Sequence, residues 1–186
     1  MFDRRGNRKY VNSLERQACL RAIEDEPDRS RRAFCLTLFY TGCRISEALN
    51  LTVERTDLTA KELVFETLKQ RKDGCFRSVP VPDELIELLR KLMTGKDPKG
   101  KVWKFSRSTG YRLIKAKMNQ ASVSGGMACP KGLRHGHAVA CVSGKVPLTT
   151  IKKWLGHSRL ETTAIYLNVS GDEERELAAR LWQEVK

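Results

Sequence analysis

Apolar residues recur at helical spacing along most of the chain. A polar, basic stretch at 1–11 reads as a loose arm; beyond it Leu14, Ala18, Ala22 and Ile23 form a first helical face. Asn12 or Ser13 is placed to cap that helix, and Pro27 lies beyond its end. A second helix runs from about Arg31 through Ala33, Phe34, Leu36, Leu38 and Phe39 until Tyr40-Thr41-Gly42 stops it, and a short one spans Ile45 to Leu49. The period then changes. Residues 62–68 and 76–81 are rich in strand formers and flank Lys69-Gln70-Arg71-Lys72-Asp73-Gly74, whose Asp-Gly pair signals a turn. These segments predict a β-hairpin with a basic tip. Pro80 and Pro82 put its second strand at a sheet edge or near its own end.

Helical spacing returns with Leu85, Ile86, Leu88, Leu89, Leu92 and Met93, capped by Asp83 and ended by Gly95 and Pro98. Another helix covers about 107–120, and Ser122 to Pro130 is a Gly/Ser-rich loop. Three short helices follow at about 133–143, 148–155 and 159–168, separated by Ser143-Gly144 and Gly156-His157. Asp172-Glu173-Glu174 opens a C-terminal helix, 172–186, its acidic start suiting the helix dipole and Leu177, Leu181 and Val185 forming one stripe. The pattern predicts an α+β fold, mostly α-helical with a small antiparallel sheet, as one domain over 12–186 behind the arm.

Composition narrows the class. With 40% hydrophobic residues the chain can bury a core, which excludes a disordered basic tail. No apolar run approaches the ~20 residues that span a bilayer, and Met1 leads into charges, so the expectation is a soluble cytoplasmic protein. Six scattered cysteines without a Cys-x-x-Cys pair suggest packing thiols rather than disulfides. Cys129, His135, His137 and Cys141 fit no common zinc spacing, and two histidines two apart on a helix point to different faces, so no metal is expected. The 35 Lys and Arg against 22 Asp and Glu, net +13, indicate a surface with basic patches whose commonest partner is nucleic acid.

Three segments could carry chemistry. Thr41-Gly42-Cys43-Arg44-Ile45-Ser46-Glu47-Ala48-Leu49 puts an arginine at a helix start after a glycine break. Lys131-Gly132-Leu133-Arg134-His135 opens a helix with Lys131 and Arg134 three apart, able to share a face. Leu155-Gly156-His157-Ser158 leads on to Tyr166. Two arginines, lysines, a histidine and a tyrosine suit attack on a phosphodiester without a metal. Guanidinium forks match the non-bridging oxygens, and a tyrosine of ordinary pKa ~10 needs neighbouring Arg and His cations to favour its phenolate.

Together these segments resemble the tyrosine recombinase (phage integrase) family, from about residue 12 to 182, over that family's catalytic domain. Thr-Gly-x-Arg-x-x-Glu-Ala-Leu resembles its first arginine box. The hairpin with the following Arg-x-Val-Pro resembles its lysine-bearing turn, 131–135 its His-x-Leu-Arg-His box, and 155–166 its nucleophile box. The resemblance implies cleavage and rejoining of duplex DNA through a 3′-phosphotyrosyl intermediate, with no cofactor. Arg44 and Arg134 would clamp the scissile phosphate, Tyr166 would attack it, and Lys69 would protonate the leaving 5′ oxygen. Lys131 and His157 would complete the pocket, and Glu47 would orient an arginine. Lys72 is the alternative lysine, set second because a strand end fixes position better than a turn tip. Arg71, Lys72, Lys152, Lys153 and Arg159 would touch DNA.

Two departures stand out: Lys131 where most members carry histidine, and Gly136 after His135. Self-association through 172–186 is implied, as is a bacterial, phage or mobile-element origin. The separate N-terminal core-binding domain of the family has no counterpart in the eleven residues before the first helix. Two rival readings stay open. One is a non-enzymatic DNA-binding module with helices 148–155 and 159–168 as a helix-turn-helix, and the other is a relaxing enzyme like a type IB topoisomerase.

Overall fold

A computed structural model of the chain describes residues 6, 8–67, 74–167, 175, 178, 179 and 182. The first helix, α1 (Ser13–Glu24), starts on a reciprocal capping box. Asn12 Oδ1 accepts from the Glu15 N–H at 2.8 Å, and Glu15 Oε2 accepts from the Asn12 N–H at 2.9 Å, which selects Asn12 over Ser13 as the cap. Helix α2 (Arg29–Thr41) begins two residues ahead of the expected start because the Asp28 carboxylate caps it through the Arg31 N–H. From Ala33 to Phe39 every α2 residue is buried, so this is the central helix, covered on all sides.

After α3 (Ile45–Leu49) and a 3₁₀ turn at Val53–Arg55 come β1 (Thr56–Asp57), β2 (Glu62–Glu66) and β3 (Phe76–Pro80). They form one antiparallel sheet in the order β1-β2-β3, with Leu63 opposite Val79 and Phe65 opposite Arg77. The proline-bearing strand is at the edge, as its composition predicts. Strand β1 is two residues long, too short to show a period. Leu63 and Phe65 on β2 and Arg77 and Val79 on β3 are buried, so an arginine sits on the sheet's inner face.

Helix α4 (Asp83–Met93) takes Pro82 as its cap residue, so Asp83 lies in the first turn instead of capping it. Helix α5 (Arg107–Gln120) is capped by Ser106, and the loop beyond it contains a 3₁₀ turn at Gly125–Met127. Helix α6 (Pro130–Ser143) starts three residues before the expected 133, since proline suits the first helical position. Helix α7 (Leu148–Leu155) matches its expected bounds.

The helix expected at 159–168 is reduced to α8 (Glu161–Ala164). Leu160 gives it no side-chain cap, and β-branched Thr162, Thr163 and Ile165 favour helix weakly. The Tyr166 and Leu167 N–H groups bond Thr163 O and Ala164 O, tightening the segment into a turn. A four-residue α8 is too short to serve as a recognition helix, so this part of the helix-turn-helix reading fails. Of the expected C-terminal helix, Arg175, Ala178, Ala179 and Trp182 are helical, while Leu177, Leu181 and Val185 lie outside the described residues.

The main core gathers α1–α5 and the sheet, with Trp103 and Phe105 edge-on to Phe34 at 5.4 and 5.5 Å. A second cluster unites Tyr10, Ala138, Val139, Cys141, Ile151, Leu155 and Tyr166. The expectation of a loose arm is therefore corrected for residues 8–11: Tyr10 and Val11 are completely buried. A Cβ on Gly136 would stand 2.6 Å from the Val11 carbonyl oxygen, so the missing side chain of α6 is what lets this strap lie down. That gives the unusual glycine after His135 a physical reason.

Candidate active site

Arg44 owes its position to a forced glycine. Gly42 ends α2 in the left-handed region (φ +58°), and a Cβ there would come within 2.6 Å of the His137 ring. The chain then turns, and Arg44 becomes the cap residue of α3. Its backbone N–H donates to Glu47 Oε2 and its Nη1 to Glu47 Oε1, both at 2.7 Å. Arg77 Nη2 donates to Glu47 Oε2 from the sheet side at 2.6 Å. Burial alone would raise the Glu47 pKa, but Arg77, followed by Arg44, outweighs it and the carboxyl is held below its ordinary value. Glu47 thus orients two arginines, one expected and one not.

Arg77 and Arg134 close the C-terminal end of α7. Arg77 Nε donates to the Trp154 carbonyl at 2.8 Å and Nη1 to Thr67 Oγ1 at 3.0 Å, with the guanidinium 5.4 Å from the Phe65 ring centre. Arg134, on α6, donates from Nη1 to the Gly42 carbonyl and from Nη2 to the Leu155 carbonyl, each at 2.7 Å. Cations suit the negative end of a helix and satisfy carbonyls left without intrahelical partners. Gly156 ends α7 at φ +66°, and a Cβ there would press within 2.9 Å of the Arg77 guanidinium carbon. Burial, then the like charge of Arg44, lowers the Arg134 pKa to about 10, which leaves it protonated at neutral pH.

His157 follows that closure. Arg134 Nη2 lies 3.0 Å from His157 Nε2, and since arginine only donates, Nε2 accepts and Nδ1–H donates to Thr163 Oγ1 at 2.9 Å. Tyr166 stacks on the His157 ring at 6.2 Å between centres and 11° between planes. Its hydroxyl meets His135 Nδ1 at 2.8 Å. Burial lowers both imidazoles to about 4, with Arg134 and Arg44 adding to the shift at His157, and Lys131, Arg134 and Lys9 at His135. Tyr166 is 1% exposed, and burial raises its pKa against the pull of Arg134 and Arg44. The expected pull of the arginines towards the phenolate is present but outweighed in the DNA-free protein, and the two histidines, being neutral, add no cation. Desolvation dominates, and a neutral phenol is hydrogen-bonded to a neutral imidazole.

Lys131 is exposed and, with His135, borders a cavity of about 460 Å³. Arg134 is buried and bonded towards α2 and α7, so the two bases of the 131–135 segment serve different neighbours. Lys69, Arg71 and Lys72 lie outside the described residues. Lys152 is half-buried and Lys153 exposed on α7, and Arg159 is exposed beyond it. Burial pushes the Cys43 thiol up to about 12, unsuited to a nucleophile, and Cys141 packs against His137. Among the described residues no three His, Cys, Asp or Glu side chains gather closely enough to hold a metal ion.

Three members of the cluster were not foreseen in these roles. Arg77 has a sequence signal, since it stands two residues before Val79 and so on the apolar face of an alternating strand. His135 has a weaker one, four residues from Lys131. Thr163 has none.

The profile of the phage integrase family matches residues 9–173. A tyrosine recombinase of Thermosipho africanus is 30% identical over 177 residues, covering 92% of this chain and 61% of that protein. Tyrosine recombinase XerA of Pyrococcus furiosus is 30% identical over 181 residues, covering 90% and 61%. The chain thus spans about three fifths of the length of these relatives. Among solved structures, XerA recombinase superimposes with a TM-score of 0.77 at 24% identity, over 92% of this chain and 64% of that one. The catalytic domain of bacteriophage HP1 integrase gives 0.67 at 21%, over 87% and 88%, and both likenesses are of fold.

Proposed function

The chain belongs to the phage integrase family, and from that premise we propose that it cleaves and rejoins duplex DNA in site-specific recombination, with Tyr166 as the nucleophile. One observation carries the reading. The Tyr166 hydroxyl is hydrogen-bonded to His135 at 2.8 Å while Arg134 and Arg44 both act on its charge. A lone core tyrosine needs only a polar partner, whereas this one stands in the field of two guanidinium groups that phosphate oxygens match.

The residues divide the work as follows. The Tyr166 oxygen attacks phosphorus and its proton passes to His135 Nδ1, its hydrogen-bond partner at 2.8 Å. The bond to the 5′ oxygen breaks, and that oxygen takes a proton from a lysine, the role assigned to Lys69 with Lys72 as the alternative. Arg44 and Arg134 bind the non-bridging oxygens. Arg134 uses three of its five N–H donors on Gly42, Leu155 and His157, which leaves two for phosphate. His157 keeps Arg134 and the tyrosine ring in register, and Lys131 adds charge beside His135. Rejoining runs the same transfers backwards, so neither metal nor ATP is required. Contact between copies is assigned to 172–186, where Trp182 is 58% exposed.

The test is to incubate the protein with a pool of nicked duplexes of randomised sequence, the nick trapping the cleaved strand. A protein–DNA adduct that survives denaturing electrophoresis is expected with the natural chain and is lost in Tyr166→Phe. An adduct retained in Tyr166→Phe, or none from the natural chain, would overturn the reading.

A further inference from the structure

The cavity bordered by His135, the hydrogen-bond partner of Tyr166, has lining residues that the cleavage chemistry does not use. Lys131 and His135 of α6 line it together with Arg8 and Lys9 of the strap and with Ser124 and Gly126. Arg8 is held by Glu15 at 2.6 Å and lies over the Tyr10 ring. Lys9 is exposed, and its charge is felt at the His135 imidazole that grips the Tyr166 hydroxyl. Among the described residues no Asp or Glu lines the cavity. Nothing lies within 4 Å of where a Cβ would stand on Gly125 or Gly126, so at these two lining positions the space is open. At about 460 Å³ the space is in the range of ligand clefts, roughly 300–1,000 Å³, yet its walls are cationic.

We propose that this cavity takes a DNA backbone phosphate neighbouring the scissile one, bound by Lys9 from the strap and Lys131 from α6. The proposal rests on the strand-cleavage reading and extends it, making Arg8 and Lys9 part of the DNA-binding surface while Tyr10 and Val11 anchor them from the core. An ammonium is a compact point charge, well matched to one phosphate that needs holding rather than orienting. A phosphate in the cavity neutralises the two ammonium groups that repel a proton from His135, so DNA binding itself makes that imidazole a better acceptor for the tyrosine proton.

Affinity for a short mixed-sequence duplex, measured between about 50 and 200 mM salt, tests this. One lysine–phosphate contact contributes about 1 to the slope of log affinity against log salt. Lys9→Ala is expected to lower the slope by about that amount. Lys9→Arg keeps it, and so does Lys99→Ala, which removes the same charge from an exposed turn outside the cavity. An unchanged slope in Lys9→Ala, or an equal fall in Lys99→Ala, overturns the proposal. Binding is read without cleavage, so failure here and failure of the Tyr166 adduct are separate results.

Discussion

His137 is 7% exposed, its Nε2 lies 3.5 Å from Cys141 Sγ, and its ring fills the space that a side chain on Gly42 would need. Burial, then the like charges of Arg16 and Arg134, lowers its pKa to about 3 against the pull of the Phe39 backbone. An unfolded histidine titrates near 6.5, so between the two values the unfolded chain binds a proton that the native chain refuses. His137 therefore contributes its full stability above pH 6.5 and loses it as the pH falls, by about 2 kcal/mol at pH 5. His135 and His157, lowered to about 4, act in the same direction. Glu47, held low by its arginines, contributes above its unfolded value and loses that contribution only as the pH falls through its lower folded value. Urea midpoints should accordingly fall from pH 7 to pH 5, and His137→Gln should remove about 2 kcal/mol of that fall. Identical pH dependence in the natural and H137Q chains would show that the ring is not the buried group responsible.

Helix α7 ends on its own Gly156 cap, and two arginines from outside take its last two carbonyls. Arg77 binds the Trp154 carbonyl and Arg134 the Leu155 carbonyl, so the position of His157 depends on a sheet and on another helix. Arg77→Met would leave Glu47 with one arginine and the Trp154 carbonyl without its donor. Breaking a buried pair costs about 3–5 kcal/mol, a loss that denaturant unfolding would reveal. Arg77→Lys should recover part of it, since one ammonium cannot reach Glu47, Thr67 and Trp154 with the geometry of a planar fork. The elements themselves were largely legible. Asn12, Ser106 and the apolar spacing of α4, α5 and α7 are local signals, and local signals survive into the fold. Strand β1 and the shortened α8 were not, because two paired residues carry no period and a run of turns looks like a helix to a spacing argument. Arg77 is visible in the Arg-x-Val-Pro segment, but its partners Glu47, Thr67 and Trp154 are not, because strand alternation shows which face a residue takes and not what it meets there.

At the scale of the molecule, residues far apart in sequence meet in one place: Arg134 touches Gly42, Leu155 and His157, and His135 touches Tyr166. Their order along the chain identified the family, but their partners follow from packing, which spacing does not encode. The neutral state of the histidines was illegible for the same reason, since burial is a property of the whole fold. The strap shows the converse error, a polar composition hiding one decisive aromatic. Tyr10 is fully buried among Tyr166, Ile151 and Leu155, so Tyr10→Ala should destabilise the protein by about 3–4 kcal/mol, measurable by thermal or urea unfolding. A loose arm would give no change. Because residues 8–11 pack on α6 next to Tyr166, a domain fused ahead of them would be leashed beside the proposed cleavage site. If the chain binds DNA as proposed, a DNA-gripping unit attached there would meet the same duplex at a high effective concentration, whereas a bulky inert fusion at that point would obstruct the entrance.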